Sequence, residues 1–101
     1  MNRTEAISWI REKCGEGWLP LVVKIYDNIP EDVEVTSVYQ KWGALMFDAK
    51  PWSETLEKIH DEIEEISLKT CEICGSSAAE HEINGWIHTR CETHAESQKN
   101  A

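Results

Sequence analysis

The sequence predicts an α+β fold, with N-terminal helices, a β-hairpin packed against an acidic amphipathic helix, and a C-terminal zinc-binding β-hairpin module. Three observations carry this. Leu56, Ile59, Ile63 and Ile66 recur at steps of three and four, the spacing of one helix face. The β-branched run VEVTSVYQ is followed, after Lys41-Trp42-Gly43, by a second apolar run, ALMFDA, which reads as two strands and a short turn. Cys71, Cys74, Cys91 and His94 stand as C-x2-C, sixteen residues, then C-x2-H, a ligand spacing of small zinc modules.

The first helix is expected from Thr4, as N-cap, to Lys13, with Ala6, Ile7, Trp9, Ile10 and Cys14 at helical spacing until Gly15 and Gly17 interrupt. In WLPLVVKIYDNIP, Pro20 suits a first helical turn and Leu21, Val22, Ile25 and Tyr26 share a side, so a second short helix should end near Asn28. A strand of about eight residues is expected from Val33, with Val33, Val35 and Tyr39 on one face. The next strand begins at Ala44, and Gly43 supplies the positive φ of the hairpin turn. Two strands do not stand alone in water, so the helix opened by Pro51 and Ser53 is expected to cover them.

The outer face of that helix carries Glu54, Glu57, Asp61, Glu62, Glu64 and Glu65 against Lys58 and Lys69. Such a run is ordinarily a solvated face. The functional reading makes Glu57, Asp61, Glu64 and Glu65, together with Trp42, a partner-binding surface. Trp42 and Trp52 flank the second strand. Packing in the core or hairpin is the expectation for both, and an exposed aromatic patch is the alternative.

The two ligand pairs are the most specific signal in the chain. Tetrahedral zinc takes thiolate and imidazole ligands, and two close pairs joined by a hairpin bring four of them together. A thioredoxin-like C-x-x-C opens a helix after a strand, whereas this pair follows a helix and precedes Gly75 and Ser76. A disulfide network conflicts with a cytosolic compartment. An iron–sulfur cluster would ordinarily use cysteine in place of His94. Four ligands close the site, so the zinc is expected to be structural. The segment EHEINGWIHTRC reads as two short strands around the type I′ turn Asn84-Gly85, with Trp86 and Ile87 giving the module its apolar contacts. The module is a zinc ribbon or a treble clef, depending on whether a helix follows Cys91. The expected organisation is therefore a unit over 1–69, the zinc module over 70–96 packed on it, and a frayed tail over 97–101.

The chain has 101 residues and a formal charge of −9, which repels polyanions and lowers the expectation of nucleic-acid binding. The N-terminus lacks a continuous apolar core, so neither a signal peptide nor a membrane partner is expected, and the cytoplasm is the expected location. No Ser-His-Asp order, P-loop or G-x-G-x-x-G occurs. His60, His81 and His88 allow an HNH-like nuclease reading, set against surface or supporting histidines; Cys14 reads as a small core residue.

The segments GWLPLV, VYQKWGALMF, SLKTCEICG and GWIHTRCETHA together resemble a family of small proteins common in bacteriophages and in some bacteria. The resemblance spans residues 15 to 95 and implies a phage-type zinc protein acting inside a host cell, without implying an activity. The expectation is then a non-enzymatic accessory protein that binds and modulates a host protein with a basic surface, such as defence or transcription machinery, by acidic mimicry of nucleic acid. A nucleic-acid-binding zinc-finger regulator is the alternative, and needs Lys41, Lys50, Lys69 and Arg90 on one face; the nuclease is a second alternative.

Overall fold

The computed structural model describes residues 1–99. Its elements run α1 (Arg3–Lys13), α2 (Leu19–Asn28), β1 (Glu34–Lys41), β2 (Ala44–Lys50), α3 (Glu54–Ser67), β3 (Ala79–Ile83), β4 (Trp86–Arg90) and α4 (Glu92–Lys99). The architecture is α+β, with two antiparallel hairpins, β1–β2 and β3–β4. Ser97 to Lys99, expected in a tail, belong to α4; the last two residues lie outside the described ones. Among the described residues no helix is long and apolar enough to cross a membrane.

Helix α1 starts earlier than its sequence suggests. Asn2, not Thr4, is the N-cap: its side chain accepts from the Glu5 amide while the Glu5 carboxylate accepts from the Asn2 amide. This reciprocal pair satisfies two orphan donors, which a lone Thr4 hydroxyl could not do. Ala6, Ile10 and Cys14 are buried, whereas Trp9 lies half outside with the Lys13 ammonium 4.8 Å from its ring centre. In α2, Pro20 occupies the first turn and Leu21, Val22 and Ile25 face inward.

Strand β1 corrects the expected face pattern. Val35 pairs with Ala49 but Ser37 pairs with Asp48, so Thr36 is a bulge. An extra residue reverses the alternation beyond it. Val35 and Val38 therefore point into the core, and Tyr39 turns outward, its hydroxyl 3.3 Å from the Asp48 carboxylate. The hairpin turn places both Trp42 (φ 52°) and Gly43 (φ 82°) in the left-handed region, as a two-residue type I′ loop requires.

Helix α3 opens on Ser53, whose hydroxyl accepts from the Leu56 amide. Leu56 and Ile63 are buried against the hairpin, with Ile59 and Ile66 packed at the margin. At its end, the buried Ser67 hydroxyl accepts from the Leu45 amide and donates to the Glu64 carbonyl, tying the helix to β2.

The second hairpin sits on the first through the β1–β2 turn. Thr89 Oγ1 donates to the Gly43 carbonyl at 2.6 Å and Gln40 Nε2 donates to the Ile87 carbonyl at 2.8 Å. The Asn84-Gly85 turn has φ values of 53° and 84°, as its sequence predicts. Trp86 does not supply the module's apolar contacts: it is 73% exposed, and Ile87 is 37% exposed. Ile83 and Ala95 are buried apolar residues there, beside the buried Cys71, Glu72, Thr89 and Arg90. Trp86 opens β4 directly after the Asn84-Gly85 turn, opposite Ile83, at the end of the hairpin.

Candidate metal centre

The first ligand pair lies on a tight knuckle. The Cys71 amide donates to the Ser76 carbonyl and the Gly75 amide to the Cys71 carbonyl, both at 2.8 Å, with Gly75 at φ 84°. The second pair comes from the junction of β4 and α4. Cys91 precedes the helix, the Ala95 amide donates to the Cys91 carbonyl, and His94 stands in the first turn. A knuckle, a hairpin and a helix after the third cysteine form the treble-clef arrangement rather than a ribbon.

Together these elements bring Cys71, Cys74, Cys91 and His94 into one cluster, with ligand atoms all within 4.8 Å of one another. The separations are 3.8 Å for Cys74 Sγ to Cys91 Sγ, 3.5 Å for Cys71 Sγ to His94 Nδ1, and 3.1 Å for Cys91 Sγ to His94 Nδ1. A tetrahedral ion with bonds of about 2.3 Å to sulfur and about 2.1 Å to nitrogen would set S···S near ~3.8 Å and S···N near ~3.6 Å. The first two distances meet these values, and the third, at 3.1 Å, is about 0.5 Å shorter. All four cysteines are free thiols. The arrangement can therefore bind a metal ion through three sulfurs and His94 Nδ1.

The surroundings favour thiolates at two of the three positions. The Ser76 hydroxyl, 3.0 Å from Cys74 Sγ, and the Ser76 amide hold the Cys74 thiol down to about 7 from an ordinary 9.0. Cys91 is lowered chiefly by the His94 amide, one of the free N–H groups of a helix start. Cys71 is raised by burial, partly offset by backbone amides of Cys91, Cys74 and Ile73. A bound cation would favour the thiolate at all three.

Behind the cluster lies a buried charged group. Glu72 is 1% exposed, and its Oε1 accepts from His88 Nδ1 at 2.8 Å and from Arg90 Nε at 2.7 Å. In sequence Glu72 looks like a solvated spacer between two ligands, and nothing local signals its burial. Arg90 is itself buried, so it cannot join Lys41, Lys50 and Lys69 on a cationic outer face. His88 is committed to Glu72. His60 packs against Phe47 and Trp52, with ring centres 5.7 and 5.9 Å away. It also forms, with Asp61 and Glu64, a second group of ligand-type atoms that the sequence reading did not anticipate.

Glu57, Asp61 and Glu65 are exposed, and Glu64 is half-buried. Trp42 is 73% exposed, contrary to the expectation of packing, because the left-handed turn carries its side chain away from the sheet. Trp52 is half exposed against Phe47. A cleft of about 350 Å³ is lined by Trp42, Met46, Leu68 and Ile87, with Lys41, Glu64 and Glu80 as its charged residues. An adjoining depression is lined by Asp61, Glu64, Glu65 and Leu68. Glu64 and Leu68 line both, so the aromatic hairpin tip and the acidic helix face form one continuous surface. No family model, curated protein or solved structure matches the chain.

Proposed function

We propose that this chain is a non-enzymatic, zinc-stabilised interaction protein that binds a basic surface of another protein, in the manner of a phage-type accessory protein acting on a host factor. The observation that carries the reading is the shared wall of Glu64 and Leu68, which joins the exposed Trp42 to the acidic face of α3. Zinc is the ion that the donor set suits: three cysteine sulfurs and an imidazole, four protein ligands that would close the site. In that role the ion supplies rigidity, which a chain of this size gains little of from its core alone.

The charge supports the partner class. A net −9 steers a basic surface toward the protein and repels phosphate backbones. Where the partner's surface normally holds nucleic acid, an acidic helix beside an aromatic tip offers a competing ligand. The test is capture of a basic protein from a bacterial host lysate on the zinc-loaded protein at low salt, beside a Glu57→Lys/Asp61→Lys/Glu65→Lys variant. Capture by the parent and its loss in the variant are expected. Equal recovery on both, or none on either, would sink the reading.

A further inference from the structure

The cleft beside Trp42 has a composition that narrows its occupant. Ala44, Met46, Leu68 and Ile87 give it an apolar lining, to which Glu64, Glu80 and Lys41 add charged side chains. Trp42 also lines it, with its indole largely in solvent. An aliphatic lining, two carboxylates and an open aromatic face suit a long side chain that is apolar along its stem and cationic and planar at its tip.

Two further observations concern Trp42. Trp42 occupies a left-handed turn position, φ 52°, where asparagine or glycine is the favoured residue. A bulky residue at such a φ is strained, and burial does not account for it here. The Lys41 ammonium lies 5.1 Å from the Trp42 ring centre, so a cation already rests near that face, in a position that an incoming cation would compete for.

Building on the protein-binding reading, we infer that the cleft between Trp42, Leu68 and Ile87 is the docking site for an arginine side chain projecting from a basic segment of the partner protein. The stem lies along Leu68, Met46 and Ile87. The guanidinium stacks on Trp42 in place of the Lys41 ammonium, and its N–H groups donate to Glu64 and Glu80. Arginine is favoured over lysine because its planar head stacks and forks between carboxylates, whereas an ammonium is a strongly hydrated point charge.

The experiment follows amide and indole NMR shifts of the zinc-loaded full chain titrated with Nα-acetyl-arginine methylamide, and with the lysine and norleucine analogues. Saturable shifts confined to Trp42, Leu68, Ile87 and their neighbours, larger for arginine than for either analogue, are expected. Trp42→Ala should weaken arginine binding about two- to fivefold and Lys41→Gln should tighten it by a similar factor. Glu64→Gln/Glu80→Gln should abolish the preference for cations over norleucine. Each variant is first matched to the parent in zinc content and circular dichroism. Lysine and arginine acting equally, with shifts spread along α3, would overturn the inference in favour of diffuse attraction, and so would the absence of any saturable shift. The two readings fail separately. Partner capture unchanged by Trp42→Ala removes the arginine cleft and leaves the interaction reading standing. Arginine seated as described, with capture unaffected by charge reversal on α3, removes the interaction reading and leaves the cleft.

Discussion

The backbone of Gly17 lies so close to Cys71 that a β-carbon on Gly17 would stand 1.9 Å from the Cys71 carbonyl oxygen and 2.5 Å from the Gly75 nitrogen. The Gly17 amide donates to the Glu72 carbonyl at 2.9 Å, and next to it Trp18, fully buried, donates from Nε1 to the Thr70 carbonyl. The loop between α1 and α2 is thus the seat of the metal knuckle. Both sides of that contact are backbone, so no rotamer change relieves a clash there. Gly17→Ala should destabilise the protein by more than about 3 kcal/mol. At about 4 °C or more per kcal/mol for a chain of this size, calorimetry should record a melting point at least ~12 °C lower. A shift of a few degrees would show that the knuckle is not seated on this loop.

The same contact would make the loss of an ion bound at this knuckle a global event. With the knuckle released, Trp18 loses its carbonyl partner and the core its lid. One zinc per chain is expected by elemental analysis in reducing buffer. Chelation, or Cys74→Ser, should lower stability by several kcal/mol. His94→Cys should keep the ion, since a fourth thiolate satisfies the same tetrahedron. A Cys74→Ser protein that melts with the parent would exclude a stabilising metal.

Glu72 joins the metal module to the charge network, and its burial sets an asymmetry. Glu72→Leu leaves the Arg90 guanidinium buried beside an apolar group, a loss of about 3 to 5 kcal/mol. Arg90 Nη1 is already buried without a hydrogen-bond partner, so its charge has little other compensation. Glu72→Leu/Arg90→Leu removes both charges and should recover a large part of that loss. Denaturant unfolding of the single and double variants measures the coupling; additive losses would mean that the pair is not a unit.

What the sequence made legible was set by local pattern. The Ser53 cap, the Asn84-Gly85 turn, the register of Leu56 and Ile63, and the ligand spacing all depend on residues a few positions apart. What it hid depended on distant partners. Thr36 looks like any strand residue, yet its bulge turns Tyr39 outward and Val38 inward. Gly15 and Gly17 read as breakers, whereas their function is to let the Glu72 and Cys71 backbone approach. Trp42 reads as a packing residue, and only its φ and exposure separate it from Trp18, which is completely buried.

Cys14 provides a pH signature. Burial, and then the Glu72 charge, push its thiol up from 9.0 to about 12. A group raised in the folded state contributes fully below its unfolded value, and that contribution is lost as pH rises toward the folded value. Between pH 9 and 12, unfolding should therefore release a proton from Cys14, with stability falling by up to about 1.4 kcal/mol per pH unit. Cys14→Ala should lack that part of the slope. Urea midpoints at pH 8, 10 and 11 for parent and variant test this, and parallel curves would show that the thiol titrates as it does in the unfolded chain.

Trp42 should show stability and binding moving in opposite directions. Its side chain is mostly solvent-exposed and its backbone sits where a type I′ turn favours asparagine or glycine. Trp42→Asn removes the steric penalty of a bulky side chain at positive φ while giving up little buried area. It should raise stability by roughly 1 kcal/mol and weaken partner binding. A variant less stable than the parent would mean that the indole packs on the Lys41 stem strongly enough to outweigh the backbone strain. A more stable variant that binds as before would mean that the exposed indole is not part of the docking surface. Thermal melts and binding isotherms on one preparation separate these outcomes, because the two measurements respond to different atoms of the same residue: the backbone sets the first and the ring the second.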